Sequence, residues 1–134
     1  MFTRIRAIHI AVNSVKETTK DYTERFGLKV TRSGEVPVVG IRNAFMPIGN
    51  TNLEIVEPLD PSQGPLAKFL QTRGEGVYMM AWEVEDLEKA IKELQAKGVR
   101  LINSEPEARK KGVPVFIHPK FAHGIMIELV EKPK

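Results

Sequence analysis

The feature that most constrains the fold of this chain is an internal repeat, because the two halves of the sequence carry the same pattern in the same order. Each half opens with an apolar, strand-like run, at residues 9–15 and 79–84. A segment with apolar residues at helical spacing follows each run and ends at Gly27 in the first half and at Gly98 in the second. The repeat predicts two copies of one supersecondary unit within the fold.

Local capping signals indicate where the two helices begin and end. Ser14 and Glu17 form a capping box at the start of the first helix, and Asp86 is typical of an N-cap at the start of the second. Gly27 and Gly98 stand where a helix commonly ends with a left-handed residue, a conformation that glycine adopts without strain. The two helices are therefore predicted at equivalent places in the two halves.

Three further strand-like runs follow each helix. They cover residues 28–32, 40–47 and 53–57 in the first half and residues 99–103, 114–118 and 125–131 in the second. Each half is therefore predicted to be a β-α-β-β-β unit, which gives an α+β fold. The two closing runs are nearly identical, with Glu54 and Glu128 at equivalent positions.

The segment between the halves is predicted to be a linker. Residues 58–76 are rich in Pro and Gly and contain one short helical stretch, at residues 65–72. A chain of 134 residues has the size of one average domain. We therefore expect a single domain over residues 1–134, with repeat one at 1–58, the linker at 59–76 and repeat two at 77–134.

The absence of cysteine excludes several classes of function. Without Cys the chain has no disulfides, no thiolate metal sites, no iron–sulfur clusters and no thiol nucleophile. The composition is otherwise that of a folded domain, with 42% hydrophobic and 28% charged residues. Any chemistry must therefore use carboxylates, His, Tyr, Lys or a cofactor.

Charge and hydropathy argue against nucleic-acid and membrane partners. The net charge is +3, charges of both signs are interleaved, and the basic cluster at residues 109–111 has no aromatic stacking platform beside it. The longest apolar run, residues 77–82, is far too short to span a bilayer, and the N-terminal residues lack the apolar core of a signal peptide. We expect a cytoplasmic protein whose partner is a small molecule.

The duplicated unit, with an acidic residue on each last strand, resembles the vicinal oxygen chelate superfamily. This superfamily includes glyoxalase I, extradiol dioxygenases, bleomycin-resistance proteins and methylmalonyl-CoA epimerase. The chain is most similar to the epimerase subgroup, and the similar segments are residues 73–76, 80–86, 118–120 and 124–129. The resemblance implies a curved mixed sheet around a cavity, a small-molecule ligand or substrate, and a homodimer.

The resemblance also implies one metal ion, held by a His, a Gln or Glu, a second His and a Glu on four strands. The second and fourth ligands fall on Glu54 and Glu128, whereas the two His positions fall on Ala7 and Met79. The base of the epimerase subgroup falls on Asn43, whose amide cannot take a proton from carbon. Two carboxylates alone would hold a divalent cation weakly, so we expect no tight metal site and no cofactor. We also expect the methylmalonyl-CoA epimerase reaction itself to be slow or absent.

His9 offers a second way to complete the site. Residues two apart on a strand share one face, so His9 is expected to point into the cavity, about 6–7 Å along the strand from Ala7. A displaced metal site of His9, Glu54 and Glu128, which would make the protein a metal-dependent enzyme similar to methylmalonyl-CoA epimerase, would need a slip in strand register. Without a metal, two carboxylates in one cavity repel each other and burial opposes their ionisation, so at least one is expected to be protonated near neutral pH.

These residues leave two classes of function open. The first is a metal-independent epimerase or isomerase of a small acyl or oxo compound, including a CoA thioester, with Glu54, Glu128 and His9 as acid–base groups. The residues expected to contact its substrate are Asn43, Met79, Ala7 and Lys120. The second is a binding protein that sequesters its ligand, as bleomycin-resistance proteins do. Two buried carboxylates favour the enzyme, because they penalise a purely apolar ligand pocket.

Three other polar side chains are predicted to have structural roles. Tyr78 is predicted to pack against helices, His118 to belong to a turn, and His123 to lie in a loop. If both glutamates lie instead on a solvated face of the sheet, they have no chemical role.

Overall fold

The computed structural model describes residues 1–134, the whole of the chain. Its elements are β1 (Phe2–Ala11), α1 (Val15–Phe26), β2 (Arg32–Val36), β3 (Ile41–Ile48), β4 (Thr51–Pro58), α2 (Gly64–Arg73), β5 (Gly76–Val84), α3 (Leu87–Ala96), β6 (Leu101–Ile102), α4 (Pro106–Lys110), β7 (Val115–Ile117) and β8 (Ile127–Glu131). The first half has the predicted β-α-β-β-β order, the second half has the same order with one additional helix between β6 and β7, and the α+β class is confirmed. No helix is long and apolar enough to cross a membrane.

The first strand after α1 lies later in the chain than predicted. The predicted strand at residues 28–32 is wrong, because β2 begins only at Arg32. Leu28 carries an apolar signal because it packs against the core under α1. The residues of β2 lie at the end of the strand order and are largely exposed, so they show no alternation of apolar and polar side chains.

The second repeat contains one helix that the sequence analysis missed. Residues 106–110 form α4, with Glu105 as its N-cap and Pro106 in its first turn. Pro at that position is a start signal for a helix and could have revealed it. The neighbouring β6 is only Leu101–Ile102, shorter than the predicted run at residues 99–103.

Residues 7–78 form one compact unit. Its strand order is β2-β3-β4-β1, with β1 and β4 parallel and the other neighbours antiparallel. On one sheet face lies the core of α1, whose buried members are Val12, Val15, Ala44, Met46 and Ile55. On the other face, Ala11 and Val56 pack against Leu66 of α2. The sheet of this unit is therefore covered from both sides.

The second compact unit consists of residues 1–6 and 79–134. Its strand order is β5-β8-β7-β6, again with one parallel pair, β5 and β8. Helix α3 packs on one face of this sheet through Ala90, Ile91 and Leu94. The parallel pair, the helix and the two antiparallel strands repeat the plan of the first unit.

A glutamate near the end of each closing strand holds the N-terminus of the helix in its repeat. Glu57 Oε1 accepts a hydrogen bond from the backbone N–H of Val15 over 2.9 Å, and Glu131 Oε1 accepts one from Leu87 over 2.8 Å. The predicted side-chain caps are also present, since Ser14 accepts from the N–H of Glu17 and Asp86 from that of Lys89. A carboxylate at a helix N-terminus also interacts favourably with the helix dipole.

Candidate active site

His9, Glu54 and Asn43 form a buried polar cluster in the first unit. Nε2 of His9 lies 3.1 Å from Oε1 of Glu54, and Nδ2 of Asn43 donates to Oε2 over 3.2 Å. The exposed fractions are only 6% for His9, 9% for Glu54 and 7% for Asn43. Both carboxylate oxygens therefore accept a hydrogen bond in a place that is largely shielded from water.

Strand register brings these three residues together. His9 on β1 is the direct partner of Glu54 on the parallel strand β4. Glu54 is in turn the direct partner of Phe45 on β3, and Asn43 lies two residues along β3 from Phe45. Direct partners and residues two apart on a strand share a sheet face, so the three polar side chains meet on one face.

Glu54 is held in its ionised form. Burial opposes ionisation, but the hydrogen bond and charge of His9, the amide of Asn43 and the charge of Arg32 outweigh it and lower the pKa of Glu54. The expectation that burial and repulsion keep a carboxyl protonated therefore does not hold for Glu54. The difference comes from His9, which donates a hydrogen bond to this carboxylate.

The displaced site of His9, Glu54 and Glu128 was expected to need a register slip, and for the His9–Glu54 pair this expectation is wrong. Residue 9 faces residue 54 directly in the native register, whereas Ala7 faces Asn52. The parallel pairing of β1 with β4 sets this alignment, and the position of a single strand in the sequence does not reveal it.

Glu128 lies in the second unit, on β8. Its direct partners are Ala81 on β5 and Phe116 on β7. The flanking residues Ile127 and Leu129 are buried in the core under α3, so Glu128 lies on the opposite sheet face, as the alternation predicts. The closing strands of the two repeats thus present Glu54 and Glu128 in the same way within their own units.

Lys120 and His118 form part of a turn. His118 Nδ1 accepts a hydrogen bond from the backbone N–H of Lys120 over 3.1 Å, and so caps the short 3₁₀ turn at Pro119–Phe121. The predicted turn role of His118 is confirmed. Lys120 itself is exposed.

Tyr78 packs, as predicted, against a helix. Its ring lies 5.0 Å from that of Phe69 on α2, in an edge-to-face arrangement. Burial raises the pKa of its hydroxyl, so the phenolate form is disfavoured. This environment gives Tyr78 a packing role.

Two residues that were not predicted from the sequence, Arg32 and Phe45, neighbour the cluster. Phe45 is the direct partner of both Glu54 on β4 and Arg32 on β2. The guanidinium carbon of Arg32 lies 4.4 Å from the centre of the Phe45 ring. Only register relates Arg32 to Glu54, so no sequence signal could have found this neighbour.

Comparison with known proteins places the chain in a family. The sequence profile of the Glyoxalase/Bleomycin resistance protein/Dioxygenase superfamily matches residues 7–116. The chain belongs to this superfamily. The predicted resemblance is thereby confirmed.

Curated superfamily relatives include epimerases. The chain is 30% identical over 131 residues to the mitochondrial methylmalonyl-CoA epimerase of Dictyostelium discoideum. The matched region covers 96% of this chain and 78% of that protein. It is 32% identical over 132 residues to the ethylmalonyl-CoA/methylmalonyl-CoA epimerase of Cereibacter sphaeroides, covering 96% of this chain and 98% of that protein. The relatives are thus enzymes of the isomerase class, as predicted.

Solved structures of superfamily members share the fold. A variant of Streptomyces coelicolor methylmalonyl-CoA epimerase, in complex with 2-nitronate-propionyl-CoA, matches with a TM-score of 0.88 and 30% identity over 100% of both chains. The methylmalonyl-CoA epimerase of Mycobacterium tuberculosis matches with a TM-score of 0.86 and 30% identity, over 99% of this chain and 90% of that one. The fold of this chain is therefore that of the methylmalonyl-CoA epimerases.

The residues at the superfamily's metal positions do not fit a metal ion. Ala7 and Met79 are apolar and only 2% and 8% exposed, so neither offers the imidazole that the resemblance implies. Glu54, at the second ligand position, is already bonded to His9 and Asn43. Within either unit, no three His, Asp or Glu side chains form a group that could hold a metal ion.

Proposed function

We propose that this protein is an epimerase that acts on a CoA thioester by metal-independent proton transfer. The observation that carries the proposal is a buried carboxylate, Glu54, that is kept ionised by His9 and Asn43. The relatives named above, which are epimerases of CoA thioesters, support the substrate class. An ionised carboxylate shielded from water can act as a general base toward a bound substrate.

The proposed reaction starts at the carbon next to the thioester carbonyl. The carboxylate of Glu54 takes the proton from this carbon, and the electrons of the broken C–H bond move to the carbonyl oxygen to give an enolate. In this proposal Glu128 is the acid that returns a proton to the carbon, and the carbonyl re-forms. The configuration at carbon is inverted, and one proton has been removed and one added.

His9 and Asn43 have supporting roles in this proposal. The amide of Asn43 has two N–H groups, and only one of them is used by Glu54, so the other can donate to the developing enolate oxygen. The imidazole of His9 holds the carboxylate in place through Nε2. Donors that are already oriented stabilise the charge that develops in the transition state. The resemblance implies that a metal ion has this role in the superfamily's epimerases.

The remaining predicted substrate contacts have weaker roles. Ala7 and Met79 are proposed to give an apolar wall for the acyl group. Lys120 is exposed and positively charged, and it is proposed to meet a phosphate of CoA.

The experiment is proton exchange in D₂O. The protein is treated with EDTA and then incubated with acyl-CoA thioesters that are branched at the α-carbon, with methylmalonyl-CoA and ethylmalonyl-CoA among them. Mass spectrometry is expected to show deuterium at the α-carbon of at least one thioester, with methylmalonyl-CoA exchanging slowly. Exchange that appears only after a divalent metal is restored would contradict the proposal, and binding without any exchange would favour a sequestering protein.

A further inference from the structure

The guanidinium of Arg32 lies over an aromatic ring. Its guanidinium carbon lies 4.4 Å from the centre of the Phe45 ring, and the two residues are direct partners on β2 and β3. A guanidinium that stacks on a ring keeps the N–H groups around its edge available as donors. Arg32 is thus oriented by Phe45 without the loss of its hydrogen-bonding capacity.

Arg32 is the outer end of a row of residues that leads to the buried cluster. Arg32 faces Phe45, Phe45 faces Glu54, and Glu54 faces His9, each as a direct partner on the next strand. All four side chains therefore lie on one face of the sheet. Exposure falls along the row, since Arg32 is exposed, Phe45 is half-buried, and Glu54 and His9 are buried.

Arg42, on β3, is an arginine with a structural role in the same sheet. On the other face of β3, its guanidinium lies 2.9 Å from Glu35 and 3.4 Å from Glu57. Arg32, by contrast, forms no ion pair with a carboxylate within 4.0 Å. Arg32 therefore has no contact ion pair, and its charge acts on Glu54 only from a longer distance.

We propose that Arg32, supported by Phe45, binds an anionic group of the ligand next to Glu54. The proposal rests on the proposed function and adds a specificity-determining residue to it. A guanidinium has five donors and no acceptor, so its natural ligands are carboxylates and phosphates. Two steps between neighbouring strands separate Arg32 from Glu54, about 10 Å between their Cα atoms.

The anion has two sources in an acyl-CoA, and a series of three ligands separates them. Methylmalonyl-CoA has a carboxylate on the acyl group, propionyl-CoA lacks that carboxylate, and CoA lacks the acyl group altogether. Isothermal titration calorimetry with each ligand measures binding to the wild type, Arg32→Gln and the control Arg42→Gln. These measurements do not depend on turnover, and thermal melting checks that each variant is folded.

Arg32→Gln is expected to weaken the binding of methylmalonyl-CoA roughly ten-fold, the size of one hydrogen bond to a charged group. If propionyl-CoA and CoA bind as before, the anion is the acyl carboxylate. If all three ligands weaken alike, the anion is a phosphate of CoA. Either result supports the anion site, provided that Arg42→Gln binds like the wild type.

Two further variants test the arrangement of the site. Arg32→Lys keeps the positive charge but not the planar guanidinium, and Phe45→Leu keeps an apolar side chain but removes the aromatic ring. The affinity of each variant for the ligand is expected to lie between those of the wild type and Arg32→Gln. Unchanged affinity in Arg32→Gln, or an equal loss in Arg42→Gln, overturns this inference while the proposed function stands. A wild type that binds none of the three ligands overturns the proposed function, and the inference with it.

Discussion

His9 and Glu54 face each other directly across β1 and β4, with Nε2 of the imidazole 3.1 Å from Oε1 of the carboxylate. At the equivalent place in the second repeat, Ala81 faces Glu128 across β5 and β8. The duplicated acids therefore have different partners on the neighbouring strand. Acids in different environments can take different protonation states, which is what a pair that removes and returns a proton needs.

Replacement of His9 is expected to change the pH dependence of activity. Burial raises the pKa of Glu54, and His9 is the main group that lowers it, so this pKa should rise in His9→Leu. The acidic limb of the pH–rate profile should then move to higher pH. His9→Gln offers an N–H donor without a charge and is expected to shift the limb less. The measurement is the pH dependence of α-proton exchange in the wild type and the two variants. An acidic limb that stays in place in His9→Leu would show that Glu54 is not the base.

The same pKa shift predicts how stability depends on pH. Because the folded protein lowers the pKa of Glu54, its ionisation stabilises the fold above the unfolded-state pKa of about 4.5, and this contribution is lost as the pH falls through the folded-state value. In urea titrations, the difference in unfolding free energy between wild type and His9→Leu should therefore shrink with acidification. A difference that is constant from neutral pH to acid would contradict this linkage.

The sequence predicted the repeated units well because each helix has strong local signals. Ser14 and Asp86 cap the helix starts, and Gly27 and Gly98 follow the helix ends in the left-handed conformation, so these ends depend on contacts within a few residues. The strand β2 escaped prediction because an exposed edge strand has no apolar periodicity. The same limit applies to the site: the acids were found from their alternation, but the pairing of residues 9 and 54 depends on strands more than forty residues apart in the chain.

Elemental analysis tests the absence of a tight metal site. Because Ala7 and Met79 provide no ligand, protein purified without chelator is expected to carry substoichiometric divalent metal, and EDTA should leave its melting temperature and its exchange activity unchanged. The double variant Ala7→His, Met79→His is expected to bind more metal than the wild type. One tightly bound metal per wild-type chain, with activity lost on chelation, would restore the site that includes His9.

Ionised Glu83 is expected to stabilise the second unit, and this stabilisation is expected to be lost in acid. Its carboxylate accepts from Thr3 over 2.7 Å and pairs with Arg4 and Arg6 over 3.0 and 2.8 Å. The hydrogen bond from the Thr3 hydroxyl lowers the pKa of Glu83 most. Burial raises this pKa, the two arginines lower it further, and the result is a pKa of about 2. This stabilisation is complete above pH 4.5 and is lost as the pH falls toward 2.

Urea titrations of Glu83→Gln test this ion-pair cluster. At pH 7 the variant is expected to lose roughly 2 kcal/mol of unfolding free energy, because two arginines lose their carboxylate partner but remain partly solvated. The difference from the wild type should shrink as the pH falls below 4.5. Glu24→Gln, at an exposed position on α1, is the matched control and should change stability little. Equal effects of the two substitutions would rule out a special role for Glu83.

The measurement that tests the central claim most directly compares chemical conversion with binding in the wild type, Glu54→Gln and Glu128→Gln. A thioester that exchanges its α-proton in the wild type serves as the probe, with EDTA present, and calorimetry gives its affinity. Both variants keep the shape of the side chain but lose the group that transfers a proton, so conversion should collapse while binding persists. If both variants convert the thioester at the wild-type rate, the carboxylates do not transfer the proton and the proposed mechanism is wrong.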